Sequence, residues 1–188
     1  MLFARTDISQ YINNCYEPVW QSLHEVPIVS VDFGGGRVLK RTLNGNIATY
    51  IITADGTVVD ILPGIYKPDT YLSQLKALHN LAEDCRHESS STMVSARLSR
   101  YHSKLAARPV HLTGSLEPQA GPANLPTNLE TDTRINETLR RHQIHEKLAQ
   151  TPPKLSQSLT NWLYKEVLHC DLSDPYLGLA STLAGRPQ

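Results

Sequence analysis

The sequence predicts an α/β fold in which a small β-sheet is followed by C-terminal helices. Two stretches carry this prediction. Residues 46–75 place two β-rich runs on either side of Asp55-Gly56 and then open a helix at Pro68. Gly takes the positive φ of a two-residue hairpin turn at no steric cost, and Pro has its φ already set for a first helical turn. Residues 134–180 instead repeat apolar side chains at helical spacing, without strand alternation.

The remaining elements follow from the same rules. Asp7 to Cys15 predicts a short helix, with Ile8, Tyr11 and Ile12 on one face and Asp7 as N-cap. Tyr16 to Leu23 predicts a strand, which Pro18 confines to an edge or to a start after that residue. Val26 to Leu43 alternates around Gly34-Gly35-Gly36 and predicts a second hairpin. A phosphate-binding loop needs a helix directly after its glycines, whereas Arg37-Val38-Leu39-Lys40-Arg41 has strand character. Beyond Pro68, with Asp69 or Thr70 as cap, Leu72, Leu75 and Leu78 form an apolar stripe.

By texture the chain divides into an α/β region over 1–84, a Ser-rich helical extension over 85–110, a flexible linker over 111–133 and a helical segment over 134–188 whose end is disordered. The linker is assigned from Pro118, Pro122 and Pro126, which interrupt any helix. The terminal helix is predicted to start at Thr151-Pro152 and to carry Leu155, Leu159, Trp162, Leu163, Val167 and Leu168 on one face. That face has to be covered by the chain's own sheet or by a partner.

Composition excludes several classes of function. Eighteen basic and eighteen acidic side chains cancel, so no net field draws in nucleic acid, and two Phe and two Trp are few for stacking bases. Apolar runs such as Ile47 to Ile52 are far shorter than the roughly 20 residues of a membrane helix, and the first residues lack a signal-peptide pattern. The expected partner is a protein or a second copy of the chain, and the expected compartment is the cytoplasm. Cys15, Cys85 and Cys170 are odd in number and widely spaced, as reduced thiols are.

Several stretches resemble one family. Tyr-Ile-Asn-Asn-Cys-Tyr-Glu-Pro-Val-Trp, Val-Asp-Phe-Gly-Gly-Gly, Gly-Asn-Ile-Ala-Thr-Tyr, Ala-Asp-Gly-Thr-Val and Leu-Pro-Gly-Ile-Tyr-Lys-Pro-Asp-Thr-Tyr-Leu make residues 7–78 similar to the C-terminal two-thirds of a thioredoxin-like domain. They are most similar to an uncharacterised group of bacterial thioredoxin-like proteins. The resemblance implies a partial thioredoxin-like sheet whose first strand and active-site helix are missing. Oxidoreductases of this fold use a C-x-x-C at a helix N-terminus and a cis-proline just before the strand matched by Tyr50–Thr53. This chain has no C-x-x-C, and Ala48 or Thr49 falls at the proline position, where a trans peptide is expected. Two functions follow: a non-catalytic interaction or scaffold module, or a relative of thiol-disulfide oxidoreductases whose N-terminal active site is absent from this chain.

Among single residues, Cys15 is the catalytic candidate. Its place at a helix C-terminus, without a nearby Lys or Arg, disfavours thiolate and favours a packing role. Cys85 follows two acids, and Cys170 lies beside His169 but on a different helical face. His142 and His145 share a predicted helix face next to Glu146. Two ligands beside Arg140 and Arg141 do not make a metal site, however, and both His are expected to face solvent. No cofactor is expected.

Overall fold

The computed structural model describes residues 2–25, 28–42, 47–110, 129–150, 153–174 and 177. The architecture is mixed α/β. Helix α1 spans Thr6–Cys15, strands β1 and β2 span Ile28–Asp32 and Val38–Thr42, and β3 and β4 span Ala48–Ile52 and Val58–Pro63. Helices α2 (Pro68–Arg86), α3 (Ser91–Ala106), α4 (Leu129–Ile135), α5 (Arg141–Gln150) and α6 (Gln157–Trp162) follow. The strands form two separate antiparallel pairs, β1–β2 and β3–β4.

The second hairpin is the centre of the fold. Its turn is one residue longer than the two-residue loop expected at Asp55-Gly56: the Thr53 N–H donates to the Thr57 carbonyl at 2.9 Å, and Gly56 N–H donates to the Thr53 carbonyl at 2.9 Å. Gly56 has φ of 84°, the left-handed residue that closes a three-residue loop. Asp55 secures the turn by accepting from Thr57 N–H at 3.2 Å. Every residue of β4 is buried. Val58 and Ile61 join Ile144, Leu148, Leu159, Leu163 and Val167 in one apolar cluster. Val59, Leu62 and Ile51 join Ile8, Leu75, Leu78 and Leu98 in a second. A bulge between Ile51 and Ile52 lets neighbouring β4 residues serve both clusters despite strict strand alternation elsewhere.

Helix α2 begins with Pro68 as expected, but Lys67 is the N-cap and uses no side-chain bond. Asp69 instead accepts from Arg5 at 2.8 Å. Helix α1 likewise is capped at Arg5 rather than Asp7. Residues 16–23 form no strand. Among the described residues no strand pairs with this segment, and the Tyr16 hydroxyl donates to the Leu75 carbonyl at 2.6 Å, tying it to α2.

Further corrections concern the second half. Leu129–Ile135 is helical, so the linker expected over 111–133 does not reach its C-terminal bound; residues 111–128 lie outside the described residues, as do Thr151, Pro152 and the tail after Leu177. Helix α6 starts at Gln157, with the Ser156 hydroxyl accepting from Leu159 N–H at 3.3 Å. Leu155 precedes it and is exposed. The segment docks on its own chain: Val58 N–H donates to the Pro153 carbonyl and Leu155 N–H to the Gly56 carbonyl, both at 2.9 Å. Trp162 lies at the margin of the cluster, while Leu163 is at its centre.

Candidate functional site

Asp60 is the only charged residue of β4 and is fully buried. A lone carboxylate in an apolar strand demands a cation or hydrogen-bond donors. Helix α5 supplies the cation: Arg141 Nη2 donates to Asp60 Oδ2 at 2.7 Å, and Arg141 is 4% exposed. The other carboxylate oxygen accepts from Ile61 N–H at 2.7 Å.

The helix arrives in this orientation because of a wide turn just before it. Residues Asn136–Arg140 are π-helical, and Arg141 N–H reaches back to the Asn136 carbonyl, five residues earlier. One extra residue per turn brings Asn136 and Arg141 to the same inward face. Asn136 uses it to donate to the Ile65 carbonyl at 2.7 Å, and its side-chain oxygen accepts from Arg140 at 2.7 Å. This clamps the loop between β4 and α2. Glu137 lies alongside, its Oε2 accepting from Gln74 at 2.6 Å. Burial pushes the Glu137 carboxyl up, although Arg141 and Gln74 pull it down.

Two histidines complete the cluster. His102 on α3 and His145 on α5 are 0% and 6% exposed, and their Nδ1 atoms are 3.0 Å apart. Two lone pairs facing each other at that distance would repel, so a proton or a cation has to lie between them. In the proton form the tautomers are determined. His102 Nε2 faces the Val59 carbonyl at 2.9 Å, which can only accept, so its proton is there and its Nδ1 is an acceptor. His145 then donates from Nδ1, and its Nε2 faces Arg141 Nη2 at 3.4 Å. Both rings are neutral in this arrangement. Burial pushes His102 down and His145 to about 3, with the Arg141 charge adding to the effect and Asp60 opposing it.

The candidates from the sequence fall elsewhere or turn inward. Cys15 is half-buried, Cys85 and Cys170 are buried, and all three are thiols on different parts of the chain. Burial pushes the Cys85 and Cys170 thiols up, further disfavouring thiolate. His142 and His145 do not share an environment: His142 lies 3.5 Å from Glu146 in a surface pair, whereas His145 is buried, against the expectation that both face solvent. His169 is exposed while Cys170 is buried, so these neighbours point apart. Among the described residues no peptide bond is cis, including those at Ala48 and Thr49.

Nothing local in the sequence marks Asp60 or His102 for this cluster, whereas Arg141 carries a signal. Arg141, Ile144, His145 and Leu148 fall at i, i+3, i+4 and i+7, which places the charged and polar members on the apolar stripe of α5. Two solvent-open hollows lie outside the cluster. One of about 550 Å³ is lined by Phe33, Gly36, Arg37 and Val38. The other, of about 400 Å³, runs between α2 and α3 past Asp84, Arg97 and Tyr101. No known protein family, curated protein or solved structure matches this chain. No helix among the described residues is long and apolar enough to cross a membrane.

Proposed function

We propose that this chain is a non-catalytic interaction or scaffold module acting in the cytoplasm, with a β-β-α unit over Ala48–Arg86 related to the closing half of a thioredoxin-like domain. The observation that carries this reading is the exposure of large apolar side chains in the N-terminal part. Val19 and Trp20 are 89% and 86% exposed, and Ile28, Phe33 and Val38 are more than half exposed. Phe33 and Val38 line one surface hollow together, and exposed apolar side chains that cluster in this way mark a protein contact. The partner is a protein or a second copy of this chain rather than nucleic acid, because the charges of the chain cancel. The thiols add support: none has a second cysteine at C-x-x-C spacing to resolve a mixed disulfide.

Sedimentation of the parent and of Trp20→Ser/Phe33→Ser, run beside a disulfide-reduction assay, tests the reading. The expected result is concentration-dependent association of the parent, its loss in the double variant, and no reductase turnover above the buffer rate. A parent that stays monomeric and turns over a disulfide substrate, with that activity lost in Cys15→Ser, would overturn it.

A further inference from the structure

We propose that Asp60, His102 and His145 form a binding site for one divalent transition-metal ion of the zinc class, held by the two imidazole Nδ1 atoms and a carboxylate oxygen. The three groups come from β4, α3 and α5, and one possible ligand atom from each lies within 4.8 Å of the others; the two Nδ1 atoms are 3.0 Å apart. All three residues are at most 6% exposed, in a core whose other members are mostly apolar. Two imidazoles and a carboxylate suit zinc, cobalt or iron(II) far better than calcium or magnesium, which favour all-oxygen shells.

The distances fit. With metal–nitrogen bonds of about 2.0–2.1 Å, nitrogens 3.0 Å apart subtend roughly 91–97° at the ion, and parting them by about 0.35 Å reaches the tetrahedral angle. The supporting contacts are those that metal ligands need. His102 donates its other ring proton to the Val59 carbonyl at 2.9 Å, which fixes the ring with Nδ1 inward. Asp60 is held through its other oxygen by Ile61 N–H at 2.7 Å.

Arg141 is the obstacle, and its surroundings resolve it. When the ion takes both Nδ1 lone pairs, the His145 proton moves from Nδ1 to Nε2, with no net proton release. The proton then faces Arg141 Nη2 at 3.4 Å, so the guanidinium has to turn away. Glu137 is buried beside the Tyr66 hydroxyl, and its Oε1 lies 3.9 Å from Arg141 Nε. That oxygen is placed to receive the turning guanidinium, and its charge offsets that of the arriving ion. Tyr101 stands between the cluster and the hollow that runs between α2 and α3: it lines that hollow, and its ring meets His102 and His145 edge-on, at centroid distances of 5.0 and 6.3 Å.

The test uses the untagged full chain, stripped with a chelator and titrated with Co²⁺ and then Zn²⁺. One equivalent of Co²⁺ should produce a visible d–d absorption band, Zn²⁺ should displace it, and the melting temperature should rise with either ion. His102→Gln and His145→Gln should each weaken binding tenfold or more, since losing even a contact behind a ligand costs 10–100-fold. His142→Gln, on the surface of the same helix, should leave binding unchanged. If a core variant does not fold, the cobalt band and the metal-dependent melting of the parent decide the matter. A parent with neither response, or binding that survives in both core variants, would overturn the proposal.

Discussion

Arg141 and Asp60 meet inside the protein at 2.7 Å, with side-chain exposures of 5% and 0%. A pair this dry adds little net stability over an apolar pair of the same shape, but neither partner tolerates loss of the other. Arg141→Met should therefore destabilise the chain by about 3–5 kcal/mol, because it strands a buried carboxylate. The double variant Asp60→Leu/Arg141→Met should lie well above the sum of the two single losses. Urea denaturation of all four proteins checks this, and additive losses would show that the two groups are not coupled.

The docking of α6 gives a second expectation. Leu163 is fully buried, and Leu163→Ala should cost about 2–5 kcal/mol. Trp162 is only partly buried against the cluster, with Lys147 Nζ 5.5 Å from its ring centroid, so Trp162→Ala should cost clearly less. Thermal melts of the two variants under one condition rank them, and the reverse order would place Trp162 at the centre of the interface.

Two glycines with positive φ should respond differently to a methyl group. Gly64 has φ of +73°, and a Cβ there would lie 2.9 Å from the side-chain atoms of Asn136; at Gly56 the nearest atom is the flexible Lys154 Cδ at 4.0 Å. Both substitutions to Ala pay roughly 1–2 kcal/mol for the left-handed backbone. Gly64→Ala additionally pushes on the clamp between Asn136 and Ile65, so its denaturation midpoint should fall below that of Gly56→Ala.

Glu137 predicts a pH dependence. Its carboxyl is raised above the ordinary value of 4.5, chiefly by burial, so the folded chain keeps this proton to higher pH than the unfolded chain does. The stability linked to that proton is fully present below the unfolded value and is lost as pH rises through the raised folded value. Glu137→Gln cannot ionise and should escape this loss. Relative to the parent, its melting temperature should improve as pH rises above the ordinary carboxylate range; a relative decline on that rise would mean that the ionised carboxylate is the stabilising form.

Local features were readable from sequence because their causes are local. Helix α1, both hairpins, the start of α2 at Pro68 and a helix within 85–110 follow from turn residues, caps and periodicity within a few neighbours. The misses are as instructive. Tyr16 to Leu23 has strand-forming residues but no ladder to join. Leu155 has helical spacing but lies before the Ser156 cap. Arg141 and His145 are residue types that usually face water, and a wide turn at Asn136–Arg140 sets the helix so that Arg141 meets Asp60 on β4 and His145 meets His102 on α3.

By itself the sequence determined where the chain turns and which stretches are helical, since steric limits on φ and apolar periodicity act over a few residues; the caps differ, with α1 and α2 opening after Arg5 and Lys67 and α6 after Ser156. Tertiary structure alone decided the fate of the charged and ligand-type side chains. Asp60 and Arg141 are 81 residues apart, and His102 and His145 are 43 apart. Whether such groups face water or one another depends on which surfaces pack together, and that is settled by apolar burial on both sides of β4 rather than by anything in their own neighbourhood of the chain.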